Sequence, residues 1–348
     1  MSWEETLDYY GVLIDEEVKK FFAEAKKAAK AYHPFIGEVY SNVEEFVLRK
    51  GKKLASCSTL LTYEGYAGKI DNRILKACVS IELYRHCILV HDDLVDKDTQ
   101  RRGGKTFHRL VAENYDDRLG YGTGVFVGDL MYALTLQAIL NSGFSQEKLN
   151  RVMLLLLEGY RNVNESQILD LLFEYKEPDV DEWCVMASKR AASLFETTIF
   201  VGGILGNAPE GDLQILREAA RHVGYSFDIQ DDIIDTFASL EQYGRPSGGD
   251  VALGKKPLHI IYSFKLAGRD ALNKLKNLTS KEHISPHDLE SIRAIVRESG
   301  ALEAAKKKAK EHAEKAKTLI ARTSLSDETK KFFASMITYI KESLDWYR

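Results

Sequence analysis

Residues 73–96 read RILKACVSIELYRHCILVHDDLVD. Apolar side chains recur every three or four positions, which is the period of an α-helix with a buried face. The run closes on three aspartates at positions i, i+1 and i+4: Asp92, Asp93 and Asp96. The same period governs residues 16–31, 128–140, 149–172, 181–205 and 212–235. Breaks fall at Gly51, at Gly103-Gly104, at Asn207-Ala208-Pro209 and across the glycine-rich stretch 244–257. Strand-like alternation is nearly absent, and six prolines in 348 residues leave long helices uninterrupted. The expected fold is all-α: one antiparallel helical bundle over residues 1–348, with a motif-bearing core at about 45–260 and C-terminal helices over 261–348. Within the latter, residues 301–322 are rich in Ala, Lys and Glu and read as a solvated surface helix.

A chain that is 45% hydrophobic and 29% charged buries a substantial core. Its 48 basic and 52 acidic residues give a net charge of −4, which argues against a general nucleic-acid binder. Cys57, Cys78, Cys87 and Cys184 show no disulfide-dense spacing and read as reduced thiols. No uninterrupted run of membrane-spanning length stands out, and the acidic N-terminus lacks a signal-peptide core. The expectation is a soluble, cytoplasmic protein without a membrane span.

The aspartate triplet occurs twice. Gln230-Asp231-Asp232-Ile233-Ile234-Asp235 repeats the spacing of Asp92, Asp93 and Asp96. Residues four apart share one helix face, so Asp92 projects with Asp96 and Asp231 with Asp235. Aspartate is a mediocre helix former, and stacked like charges repel. Solvated acidic helix ends would explain one such cluster, but two copies after apolar runs point to a cationic partner. Hard oxygen ligands suit Mg2+, which completes its octahedron with water and substrate phosphates; two facing carboxylate banks imply a polyphosphate between them. Candidate phosphate-binding cations lie close in sequence. Arg101-Arg102-Gly103-Gly104-Lys105 follows the first triplet, Arg245 and Lys255 follow the second, and Gly51-Lys52-Lys53 opens a helix upstream. Each of these basic segments also has a plain reading as a solvated turn or surface loop.

Taken together, these motifs resemble the trans-isoprenyl diphosphate synthases, with supporting matches at Gly51-Lys52, Glu82, Gly128-Asp129, Gln167 with Asp170, Lys189 and residues 250–255. The resemblance implies antiparallel helices around a deep central cavity, a homodimer, and condensation of isopentenyl diphosphate onto allylic prenyl diphosphates. It further implies three Mg2+ ions. Asp92 and Asp96 would hold two of them, supported by Asp93, and Asp231 would hold the third, assisted by Asp232 and Asp235. Arg101, Lys189 and Lys255 would hold the allylic diphosphate, and Lys52 and Arg102 the isopentenyl diphosphate.

Departures from the family pattern are Ala55 for arginine, Arg85 for histidine, Arg190 for threonine, Asp228 for glutamine, Arg245 for lysine and Pro257 for threonine. Arg85 is expected to restore the cation lost at Ala55, and Arg190 and Asp228 are able to pair with each other. Ile81, Tyr84 and Ile88 form one stripe leading away from Asp92. In the family, aromatic residues just before the first aspartate shorten the product. Here those positions are Cys87 and Ile88, so Tyr84 becomes the first floor and geranylgeranyl diphosphate or a longer chain the expected product. The alternatives are a non-catalytic partner subunit of a heteromeric synthase and a terpene cyclase; the second aspartate triplet argues against the cyclase.

Overall fold

A computed structural model describes residues 2–49, 51–243, 247–279 and 284–344. In chain order the helices are α1 (Trp3–Tyr32), α2 (Pro34–Leu48), α3 (Leu54–Ala67) and α4 (Asn72–Val95). A hairpin of β1 (Gln100–Arg101) and β2 (Gly104–Lys105) leads to α5 (Phe107–Asn114), α6 (Asp117–Leu140), α7 (Gln146–Glu174), α8 (Val180–Ala187), α9 (Ala191–Leu205) and α10 (Glu210–Phe237). Two short helices, α11 (Leu240–Tyr243) and α12 (Gly249–Ala252), precede α13 (Leu258–Leu266), α14 (Arg269–Thr279), α15 (Pro286–Glu298), α16 (Ala301–Ala321) and α17 (Asp327–Glu342).

Local chemistry sets several of these boundaries. Ser2 and Glu5 close a capping box at the start of α1. Pro34 opens α2, and the Asp71 carboxylate accepts the first N–H groups of α4. The helix expected over 181–205 is instead two, α8 and α9, with residues 188–190 forming a turn between them.

The chain divides into two compact units. The first comprises Met1–Leu155, Thr198–Leu213 and Ser324–Thr329, and the second Leu156–Thr197, Gln214–Thr323 and Lys330–Arg348. In the first unit α4 packs on α6, α3 and α1. Ile74, Ala77, Cys78, Ile81, Leu83, Tyr84, Cys87 and Val90 point to different sides of α4, yet all are buried. A helix apolar all round belongs in a core rather than on a surface.

Among the described residues, α6 alone has the length and hydropathy to cross a bilayer. Scanning for an uninterrupted apolar run passes over it, because Asp117, Arg118 and Asp129 punctuate the segment. Within its unit α6 packs along α4 and α5.

The core of the second unit gathers Trp183, Met186, Ile229, Ile233, Val251, Ile260, Ile261, Ile292 and Val296. Residues 301–322 do present a solvated charged face, with Lys306, Lys307, Lys310, Glu311 and Lys315 exposed, but the opposite face is buried. Ala301, Ala305, Ala309, Ala313 and Ala316 are completely buried along one face of α16, which packs on α13 and α15. Alanine contributes little to a hydropathy pattern, but it lets helices approach closely.

Candidate active site

In the first unit the last turn of α4 carries the first triplet. Asp92 is half-buried, with its side chain 26% exposed, and Asp96 is half-buried at the helix end. Asp93, turned about 100° from Asp92, is completely buried. Arg101 grips it: Nε donates to Asp93 Oδ1 at 2.6 Å and Nη2 also contacts that oxygen. The same guanidinium reaches Asp98 at 3.2 Å and Asp92 at 3.6 Å. Burial pushes the Asp93 carboxyl up to about 6 despite Arg101, which pulls the other way.

A two-residue hairpin presents Arg101 and Arg102. Gln100 pairs with Lys105 and Arg101 with Gly104, leaving Arg102 and Gly103 at the tip with φ of 52° and 77°. Positive φ at both central residues matches the right-handed twist of the strands, and glycine adopts it without strain. Arg49, which sequence reading passed over, fixes the hairpin from behind by donating to the carbonyls of Arg101 (3.2 Å) and Lys105 (2.7 Å). Gly104 leaves room for it, because a Cβ there would stand 2.6 Å from the Arg49 guanidinium carbon.

Behind the hairpin lies a buried charge cluster that the motifs announced only in part. Arg102 Nη1 donates to His86 Nε2 at 3.0 Å, while His86 Nδ1 donates to the Glu82 carbonyl at 2.7 Å. This arrangement requires a neutral imidazole, and burial followed by the Arg102 charge pushes His86 down to about 3. The Glu82 carboxylate accepts from Ser56 and lies 3.6 Å from Lys53 Nζ. Lys53 also pairs with Asp15 on α1 at 2.7 Å. Burial alone would raise Glu82, but Lys53, Ser56 and Arg102 together hold it below the usual carboxylate range. Lys53 sits at φ 46° immediately before α3, whose first N–H groups have no side-chain cap. Lys52 beside it lies 5.8 Å from the Trp3 ring. His86, rather than Arg85, therefore faces Arg102. Arg85 is half-buried and makes no ion pair or hydrogen bond among the described residues.

Farther back along α4, Tyr84 and Cys87 are completely buried and Ile88 is half-buried. The Tyr84 ring lies 6.5 Å from that of Tyr132 on α6.

The second unit repeats the pattern of the first on α10. Asp231 is half-buried, whereas Asp232 and Asp235 are buried. Both Asp232 oxygens accept from Arg190 Nη2, at 3.3 and 3.4 Å. Arg190 Nε donates to Asp228 at 2.9 Å, the pairing that the two departures from the family pattern suggested, and Nη1 lies 3.7 Å from Asp170. Burial raises Asp232 well above the ordinary carboxylate range and lifts Asp228 to about 6, with Arg190 opposing both shifts.

Asp235 is engaged differently, accepting from the Tyr243 hydroxyl and from the Asp250 N–H, each at 3.2 Å. Lys255 pairs with Asp250 at 3.1 Å and lies 3.9 Å from Asp170. Lys189, next to Arg190, points elsewhere and pairs with Glu165 at the surface. Arg245 lies outside the described residues. Among the described residues, no three His, Cys, Asp or Glu side chains converge to hold a metal ion.

Two aspartate triplets, each with its central carboxylate clamped by an arginine, on a scaffold of long helices are the attributes of a diphosphate-handling transferase. The chain belongs to the polyprenyl synthetase family, whose model matches residues 37–296, and is a prenyltransferase. It is 27% identical to the short chain isoprenyl diphosphate synthase of Methanocaldococcus jannaschii over 82% of this chain and 81% of that one. It is 29% identical to the geranylfarnesyl diphosphate synthase of Aeropyrum pernix, over 84% and 90% respectively. Its fold matches the geranylgeranyl pyrophosphate synthase of Corynebacterium glutamicum, solved with isoprenyl diphosphate and magnesium, at a TM-score of 0.90. That match covers 98% of this chain and 99% of the other at 20% identity.

Proposed function

We propose that this chain condenses isopentenyl diphosphate with an allylic diphosphate, releasing diphosphate and giving trans-geranylgeranyl diphosphate or a longer homologue. The observation that carries the reading is the duplicated triplet: in each, the leading aspartate is half-exposed and the next is buried against an arginine. Asp92 and Asp96 offer oxygens one helical turn apart, and Asp231 offers another. Such a donor set suits Mg2+ held jointly by one or two carboxylates, water and diphosphate, rather than by a protein cage. When bound, the ions supply positive charge to the departing diphosphate.

The protein's share is to hold both substrates and shield the reaction. Arg101, oriented by Asp93 and Asp98, and Lys255, oriented by Asp250, bind the allylic diphosphate. Lys189 joins them by leaving a surface ion pair of low cost. Lys52 and Arg102 bind isopentenyl diphosphate. The allylic C–O bond breaks with its electron pair leaving on the diphosphate. The π bond of isopentenyl diphosphate then forms the new C–C bond, and a proton departs to the released diphosphate. Tyr84 stands eight residues before Asp92, about 12 Å along the helix axis, and forms the floor that limits the growing chain.

We further place the enzyme in the cytoplasm, in keeping with its buried, unpaired Cys57, Cys78 and Cys87, and read it as a homodimer. Leu119, Phe126, Ala133 and Leu140 recur every seven residues on the outward face of α6, with Phe126 73% exposed. An apolar stripe of this kind marks an interaction surface.

Incubating the purified chain with Mg2+, isopentenyl diphosphate and each allylic primer, then resolving products by chain length, tests the proposal. A dominant farnesyl product refutes the chain-length reading. No turnover by the chain alone favours the non-catalytic partner subunit.

A further inference from the structure

We infer that Arg190 is a built-in cation of the second aspartate cluster, a positioning residue that takes over part of the charge compensation a divalent ion would supply there. The inference rests on the proposed metal role of Asp231. The turn at residues 188–190 between α8 and α9 aims Lys189 at Glu165 and Arg190 at Asp228, Asp232 and Asp170.

A close helix contact makes this possible. A Cβ on Gly224 of α10 would lie 2.3 Å from Ala192 Cα, so glycine alone allows the start of α9 to rest directly on α10. One turn after Gly224 comes Asp228, and one further turn brings Asp232, the two carboxylates that Arg190 holds. Asp231 is close enough to Asp228 to raise its carboxyl by repulsion, so it belongs to the same electrostatic group.

Buried carboxylates this close would repel one another without a cation among them. Arginine supplies that cation permanently, since it does not lose its proton in proteins. Two consequences follow. The cluster is assembled before any metal arrives. A divalent ion at Asp231 then meets a neighbourhood already partly neutralised and binds more weakly than the number of aspartates suggests. Asp232, with both oxygens on Arg190, acts as the anchor of that guanidinium rather than as a metal ligand.

The test is a Mn2+ titration of the full-length chain in the presence of inorganic pyrophosphate, with free Mn2+ counted by electron paramagnetic resonance. Asp231→Asn identifies the ion that depends on this cluster. Arg190→Gln should bind that ion at least roughly tenfold more tightly than the parent, because it removes one positive charge from the carboxylate group to which Asp231 belongs. Arg190→Lys should restore the parent affinity to within about twofold, because it keeps the charge and loses only the fork geometry. Should Arg190→Gln fail to fold, Arg190→Gln combined with Asp228→Asn is compared with Asp228→Asn alone; the two differ only in the cation, and the double variant should bind the ion more tightly.

Equal Mn2+ affinity in the parent and the glutamine variant overturns the inference while leaving the metal role of Asp231 intact. If Asp231→Asn removes no ion from either protein, that metal role fails and the inference falls with it.

Discussion

Glu82→Gln isolates the buried charge cluster behind the hairpin. The substitution keeps the shape and an oxygen for Ser56, and removes only the negative charge. Lys53, whose side chain is 6% exposed, then loses a carboxylate 3.6 Å away but keeps Asp15 at 2.7 Å. Breaking a buried pair costs about 3–5 kcal/mol, and the surviving Asp15 contact sets the expected loss near the lower end, about 3 kcal/mol. With a urea m-value of about 3 kcal/mol/M, the midpoint should fall by roughly 1 M at pH 7.

The pH dependence has a definite sign. Glu82 is held below its unfolded value, so its contribution is complete above about 4.5 and is lost as pH falls through the folded value. The gap between parent and variant should therefore narrow in acid. A midpoint shift under about 0.3 M at pH 7, or a gap that stays constant down to pH 3.5, refutes the assignment of an ionised Glu82 compensating Lys53.

Other consequences are independent of this cluster. His259, completely buried and hydrogen-bonded through Nε2 with the Thr236 hydroxyl at 2.9 Å, is pushed down to about 3 by burial. The unfolded chain takes up that proton near 6.5, so stability present above that pH is lost as pH falls from 6.5 toward 3. His259→Asn should flatten the decline by about 1.4 kcal/mol per pH unit, and an unchanged slope in urea titrations at pH 7, 6 and 5 counts against it. Gly224→Ala drives a methyl into the Ala192 backbone and should cost about 3 kcal/mol or more. Gly211→Ala, where a Cβ meets nothing within 4 Å, should be neutral or stabilising, and similar melting shifts for the two would contradict the close contact. Burial raises Cys57, Cys78 and Cys87, so Cys184, half-exposed on α8, should be alkylated first in the native protein. Peptide mass mapping that finds another cysteine modified first would oppose this. Phe126→Glu should shift the particle to monomer in sedimentation, and a persisting dimer would remove α6 from the interface.

The helical character and the two aspartate triplets were legible in the chain because both are local. Helix period and the i, i+4 relation depend only on backbone geometry, so Asp92 and Asp96 share a face whatever surrounds them. The break between α8 and α9 was missed because residues 181–205 keep an apolar period through it. The solvated face of α16 was legible, but its packed face was missed because it is alanine, whose weak hydropathy says little about packing.

What tertiary structure alone decided is which charge meets which. The motif placed Arg101 and Arg102 beside Asp96, yet packing turns Arg101 onto Asp93 and Arg102 onto His86. Glu82 belongs to a recognisable pattern, but its partners Lys53 and Ser56, and the Asp15 that shares Lys53, come from distant turns of other helices. The pairing of Arg190 with Asp228 was suggested by two coincident departures. That the same guanidinium also serves Asp232 and Asp170 follows from the turn at 188–190 and the contact that Gly224 permits. Periodicity fixes the direction of a side chain about its own helix axis. The identity of the group it meets depends on the height and rotation of the neighbouring helix, which are set by the packing of the whole core.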